Sequence, residues 1–145
     1  MAYFIFENNN LFKIAANDAD KNSLNLSPTA VVKTVSDTDF EEVRQQIKHV
    51  SSFDGTNISY DVFGTTGESG IINEDVLKAN HKGVLDIINA FLKNNPSNSM
   101  YSAVNDYKNY LESFDYSSIT YPIIVSWEKY CSDNSITFFH PLQIP

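Results

Sequence analysis

The chain has 145 residues, 42% hydrophobic and 13% aromatic, with 18 acidic against 10 basic side chains and a formal net charge of −8. That is the size of one domain with ample material for a core, and it excludes intrinsic disorder, which needs low hydrophobicity together with high charge. The acidic balance and the lack of a basic run remove the lysine and arginine footprint that nucleic-acid binding requires, and set the chain against an anionic membrane surface. A nucleic-acid role would need a clustered basic face, to which Arg44, Lys48 and His49 come nearest. The single cysteine forbids an internal disulfide and suits a reducing compartment. The opening MAYFIFENNN has no basic region and too short an apolar run for a secretory signal, and no stretch approaches the ~20 apolar residues of a membrane span.

In chain order, AYFIFE and LFKIAA flank an Asn-rich stretch and predict a hairpin, because asparagine tolerates the left-handed conformation of tight turns. Tyr3 to Phe6 are apolar in succession, which fits a strand covered on both faces. NDADKNSLNLSP reads as a polar loop with one short helical turn, and the β-branched TAVVKTV as a third strand. SDTDFEEVRQQIKHV predicts a helix over 36–50, capped by Ser36, with Asp37 and Asp39 at its positive end and Phe40, Val43, Ile47 and Val50 on one stripe. Lys48 and His49 then fall at its negative end. Asp54-Gly55 signals a hairpin, with Ile58, Tyr60 and Val62 alternating after it, although Val50 and Phe53 are not two apart. GTTGESG, 64–70, reads as the seam between a β-rich and a helical half.

The second half predicts helices. NEDVLKANHKGVLDIINAFLKNNP opens on the Asn73 cap and stops at Pro96, with Leu77, Val84, Ile88 and Phe91 on one face. After a short polar connection, Met100, Val104, Tyr107, Leu111 and Phe114 stripe a second helix over 99–116, antiparallel to the first. YPIIVSWEKYCSDNS predicts a shorter helix with Pro122 at its first position and Ile123, Ile124, Trp127, Tyr130 and Cys131 on one side. ITFF is a final short strand or an extended arm, and HPLQIP cannot be helix, given Pro141 and Pro145. The expected fold is α+β: one domain, 1–145, with a small antiparallel N-terminal sheet (β-rich 1–63) packed on a helical C-terminal half (71–133), and an extended arm over 134–145.

No catalytic, cofactor or metal site is legible. Cys131, Asp133 and His140 are types from which nucleophilic sites are built, but a reactive thiol needs a base in reach and an electropositive setting. Cys131 sits on an apolar helical face among acids and reads as core. His49, His81 and His140 have no metal-ligand spacing. Asp18 and Asp20 keep the rhythm of a calcium loop without its glycine or closing glutamate. Gly64, Gly67 and Gly70 lack the lysine and hydroxyl of a phosphate loop, and Glu68 would repel a phosphate. GTTG also fits the bare glycine pattern of a KH loop, with no basic residue behind it. The pairs Glu41–Glu42 and Glu74–Asp75 read as first-turn acids that complement the helix dipole.

What remains is the aromatic excess of 8 Tyr, 10 Phe and 1 Trp. Tyrosine is favoured at protein interfaces. Tyr110, off the main stripe of its helix, together with Tyr116, Tyr121, Phe138, Phe139, His140 and Leu142, is the expected contact surface for a protein partner or another copy of the chain.

The opening MAYFIFENNNLFKIA, the VSDTDFEEVRQQI helix start and the close SWEKYCSDNSITFFHPLQIP resemble small uncharacterised proteins of contractile-tailed phages of marine bacteria, cyanobacteria especially. The resemblance covers about a third of the chain, at its two ends. In the closing pattern the matching residues are Ser126, Glu128 and Tyr130, then Pro141, Leu142, Gln143 and Pro145. Trp127 stands where an aliphatic is usual, and Asn134-Ser135 where a glycine turn is typical. The resemblance implies a phage or environmental viral origin and a virion-associated role, in the host cytoplasm during infection or in the particle, and carries over no catalytic residue. The expected function is thus non-enzymatic, through protein–protein contacts as a virion component or assembly factor. The alternative is a small enzyme or host-modulating factor whose site is built from residues distant in sequence.

Overall fold

The computed structural model describes residues 1–62 and 70–145. All of the glycine-containing seam except Gly70 lies outside those residues. Strands β1 (Ala2–Glu7), β2 (Asn10–Ala15) and β3 (Val31–Val35) form an antiparallel sheet in the order β2-β1-β3. Asn8 and Asn9 both take positive φ, 50° and 61°, and make the turn between the first two strands. β1 is central, and Phe4, Ile5 and Phe6 have no exposed surface. Phe4 and Phe6 pack with Ile14, Phe40, Val43 and Phe53 on one face. Tyr3 and Ile5 pack with Ala15 and Leu24 on the other, so the unbroken apolar run is covered on both sides. Each such side chain contributes about 1.5–3 kcal/mol by leaving water.

Helix α1 (Asp18–Asn22) is the single turn expected in the polar loop, with Asn17 accepting the Asp20 N–H. Helix α2 (Asp37–Arg44) starts at the Ser36 cap but is shorter than its sequence pattern predicts. The Gln46 N–H donates to the Val43 carbonyl at 3.1 Å and the Ile47 N–H to the Glu42 carbonyl at 2.8 Å, with Gln46 at φ 56°. This pair of bonds, with a left-handed residue between, is the Schellman stop. Lys48 and His49 therefore belong to strand β4 (Lys48–Phe53), which pairs antiparallel with β5 (Ile58–Val62) across the Asp54-Gly55 turn. The register shifts between Val50 and Ser52, and this bulge accounts for the irregular spacing of Val50 and Phe53. Glu41 and Glu42 lie in the second turn of α2, not the first, and pair with Arg44 and Lys48.

The helical half follows its pattern more closely. Helix α3 (Glu74–Asn94) is capped by Asn73 and stops before Pro96; helix α4 (Tyr101–Glu112) returns alongside it. Leu77, Val84, Ile88 and Phe91 of α3 meet Val104, Tyr107 and Leu111 of α4 in one core. The third helix is shorter than expected. Ser126 accepts the Lys129 N–H at 3.0 Å, so helix α5 (Trp127–Asp133) begins after Pro122, not at it, and Ile124 is exposed. The Tyr121–Pro122 peptide is cis. α5 also ends in a Schellman stop, with Ser135 at φ 56° and the Ile136 N–H donating to the Cys131 carbonyl at 2.8 Å. Ser135 thus holds the left-handed position where glycine is favoured.

The close of the chain is an arm rather than a strand, with one 3-10 turn at Pro141–Gln143 where no helix was expected. Proline suits the first position of that turn. Phe138 and Ile144 enter the helical core while Leu142 packs on the sheet core, so the arm binds the two halves together. Lys13 Nζ donates to the Ile144 carbonyl at 2.6 Å and Ser126 Oγ to the Gln45 carbonyl at 2.7 Å, two further links between them. The architecture is α+β, an N-terminal antiparallel sheet and a helical C-terminal half. No helix among the described residues is long and apolar enough to cross a membrane.

Candidate functional site

Cys131, Asp133 and His140 do not form a site. Cys131 has no exposed surface, and burial pushes its thiol well above the ordinary cysteine range, with the nearby Glu128 adding to the rise. Asp133 is ion-paired with Lys129 on the outside of α5. His140 is buried and caps the C-terminal turn: its Nδ1 accepts the Leu142 N–H at 3.0 Å, and its Nε2 lies 3.4 Å from the Gln46 amide. Burial, helped by Arg44, lowers its pKa to about 4, so the ring is neutral and serves as an acceptor. A thiol held as thiol and an imidazole committed to a backbone N–H perform no nucleophilic chemistry.

His81 is the second buried imidazole, on the apolar stripe of α3 between Leu77 and Val84. Its Nδ1 lies 2.9 Å from the Tyr116 hydroxyl, and its ring stands edge-on to Trp127 at 4.4 Å and Phe114 at 5.3 Å. Its Nε2 has no hydrogen-bond partner among the described residues. Desolvation lowers the pKa to about 4. With Tyr116 donating to Nδ1, the proton sits on Nε2, among aromatic rings that accept weakly. Its position in the stripe is the sequence signal for this burial.

The expected contact residues divide in two. Phe138 and His140 are 2% and 8% exposed, enclosed by the chain itself, and are thereby removed from the contact surface. Arg44 holds that stretch: its guanidinium lies 4.0 Å from the Phe138 ring centroid, and its Nε donates to Gln143 at 3.0 Å. Tyr110, Tyr116, Tyr121, Phe139 and Leu142 are half-buried. Ring contacts run from Tyr110 to Phe114, on to Tyr116 and Trp127, and from Trp127 to Tyr130. The cluster reaches solvent at Tyr110, Tyr116 and Tyr130.

Tyr110 also lines an open groove of about 460 Å³ between α4 and the segment after α5, with Ala103, Tyr107, Ile136 and Thr137. The lining is mostly apolar, with Asp106 at its side. Burial together with Cys131 and Tyr130 pushes the Tyr110 phenol up to about 12, so the ring presents a neutral hydroxyl at its tip.

The basic groups that came nearest to a nucleic-acid face are each set against acids: Arg44 on Glu41, Lys48 on Asp39 and Glu42, His49 on Asp61. Asp18 is bound by Tyr3 and Lys21 rather than open to a cation. Among the described residues no group of three or more His, Cys, Asp or Glu could hold a metal ion.

One acid is misplaced by the ordinary rules. Glu128, second residue of α5, is 4% exposed, and burial raises its pKa above the usual carboxylate range. It lines a small cavity of about 120 Å³ with Gln46, Asn80, Ser126 and Trp127. Nothing local in the sequence marks it, since a glutamate near a helix start is ordinary surface chemistry. It shares that cavity with Gln46 and Asn80, far away along the chain. Searches against family models, curated proteins and solved structures found no match to this chain.

Proposed function

We propose that this is a non-enzymatic protein of a contractile-tailed phage that works through protein–protein contacts, as a virion component or assembly factor. The phage origin rests on the resemblance of the two chain ends. The contact role is carried by one observation: the aromatic cluster of the helical half surfaces at Tyr110 beside an open, mostly apolar groove of about 460 Å³. Tyrosine at such a rim supplies large contact area with a polar tip, the chemistry enriched at protein interfaces. Self-association and a different protein partner both fit this surface.

Mass spectrometry of purified particles tests the reading: the chain is expected among the virion or assembly-intermediate proteins. Its absence from both moves the assignment to a host-modulating factor. Among the described residues the enzymatic alternative has Glu128 in its favour, a raised-pKa carboxyl lining a cavity, the setting in which general acids occur.

A further inference from the structure

The groove beside Tyr110 carries an acid without a counter-charge among the described residues. Ala103, Asp106, Tyr107 and Tyr110 stand at spacings of three and four along α4 and line one side of it, with Ile136 and Thr137 on the other. Ala103 and Asp106 are exposed, and Tyr110 is half-buried. The lysines of α4 and α5 are committed elsewhere, Lys108 to Glu112 and Lys129 to Asp133. Neither the Asp106 carboxylate nor the Tyr110 hydroxyl makes a hydrogen bond or ion pair among the described residues. In water that is no burden. Once a partner covers the groove, the carboxylate loses its water, and a desolvated charge without a counter-ion is costly. A partner that fits therefore brings a cation to Asp106 together with apolar surface for the rest of the lining.

Two features select arginine for that cation. Tyr110 follows Asp106 by one helical turn, so an aromatic side chain and a carboxylate adjoin, and a guanidinium serves both, stacking on the ring while its fork pairs with the acid. The chain uses this combination within itself: Arg44 lies 4.0 Å from the Phe138 ring centroid and pairs with Glu41 at 3.2 Å. Arg44 is also the only arginine in the sequence, so a second copy has none to offer without releasing its own C-terminal arm. We infer that the groove binds a different protein, through a segment that presents an arginine to Asp106 and Tyr110 and an aliphatic side chain to Ala103, Tyr107 and Ile136. This rests on the proposed contact role and narrows its two occupants to one. The net charge of −8 favours the approach of such a basic segment.

The probe is the peptide acetyl-Ala-Leu-Arg-Leu-Ala-amide, titrated into the isotope-labelled chain and followed by amide resonances. Saturable shifts are expected at Tyr110, Ile136 and Thr137. Binding should be about fivefold weaker in Asp106→Asn, and weaker to the same degree when uncharged citrulline replaces the arginine of the peptide. Ala103→Leu, at an exposed helical site, fills the groove and should remove the shifts. Both substitutions lie outside the core, so the fold survives them. No saturable shift at those amides, full affinity in Asp106→Asn, or equal binding of the citrulline peptide overturns the inference. Photo-crosslinking from position 110 separates this failure from that of the contact role. An adduct to a virion or assembly protein beside a failed titration keeps the contact and removes the arginine, and an adduct to a second copy alone does the same. Arginine-dependent peptide binding with no adduct in particles or assembly intermediates keeps the groove chemistry and removes the virion partner.

Discussion

Arg44 and Phe138 lie 94 residues apart, yet the guanidinium sits over the phenyl ring at 4.0 Å while Nη2 donates to the Phe138 carbonyl at 3.0 Å. The same side chain reaches Gln143 and Glu41. One residue at the end of α2 thereby fastens the C-terminal arm to the N-terminal half. Arg44→Ala is expected to destabilise by about 2–3 kcal/mol, through lost charge-assisted bonds and the lost ring contact. Arg44→Lys keeps the charge without the fork and should recover less than half of that. Urea unfolding gives the magnitude, and amide exchange should show faster opening across 136–144. Unchanged exchange there would remove the fastening role.

The two buried imidazoles set an acid limit. In the unfolded chain His81 and His140 take up protons near pH 6.5, but in the folded chain only near about 4. Between these values the unfolded state binds more protons, so stability falls as pH drops from about 6.5 to about 4 and levels off below. Each group contributes on the order of 3 kcal/mol at the most. Glu128 works in the opposite sense: its raised pKa makes the folded state hold a proton that the unfolded chain has released, so its contribution weakens as pH rises. Urea midpoints at pH 7, 5.5 and 4.5 should fall in that order, with a shallower fall in His140→Asn. A flat profile would contradict the burial of both rings.

Cys131 should be silent. With its thiol buried and held protonated, a thiol reagent is expected to label it only on global unfolding, at a rate that follows stability. Cys131→Ser should cost about 1–3 kcal/mol by placing a hydroxyl among apolar atoms. Prompt labelling of the native protein would reopen the question of a reactive site.

Ser135 stores a small strain. At φ 56° it holds the left-handed position of the α5 stop, where glycine is favoured. Ser135→Gly is expected to stabilise by about 0.5–1 kcal/mol, relief of the steric cost outweighing the added freedom of the unfolded chain. A neutral or destabilising result in thermal melts would show that the serine side chain compensates.

The parts legible in the sequence are those set by local pattern. The paired asparagines before β2, the Asn73 cap and the stripe of α3, and the double-sided burial of β1 all follow from short-range chemistry. What misled was also local. Ile47 and Val50 extend the stripe of α2, but Gln46 turns left-handed without the glycine that would announce it, and a bulge hides the alternation of β4. Pro122 looked like a helix start, while the cap was Ser126, four residues later. The remainder was beyond reach because it is made by contacts between distant segments. Arg44 on Phe138, and Gln46 and Asn80 around Glu128, join residues that no periodicity relates. Phe138 and His140, exposed in appearance at the end of a proline-bounded tail, are buried by that closure.

The central claim is that the Tyr110 surface is a protein contact. Tyr110 replaced by a photo-crosslinking phenylalanine derivative, in protein expressed during infection, tests it most directly once particles and assembly intermediates are purified and irradiated. The account predicts a covalent adduct to a defined virion or assembly protein, or to a second copy, that is lost when the crosslinker is moved to exposed Lys82 on α3. No adduct at position 110, or equal adducts at both positions, would contradict it.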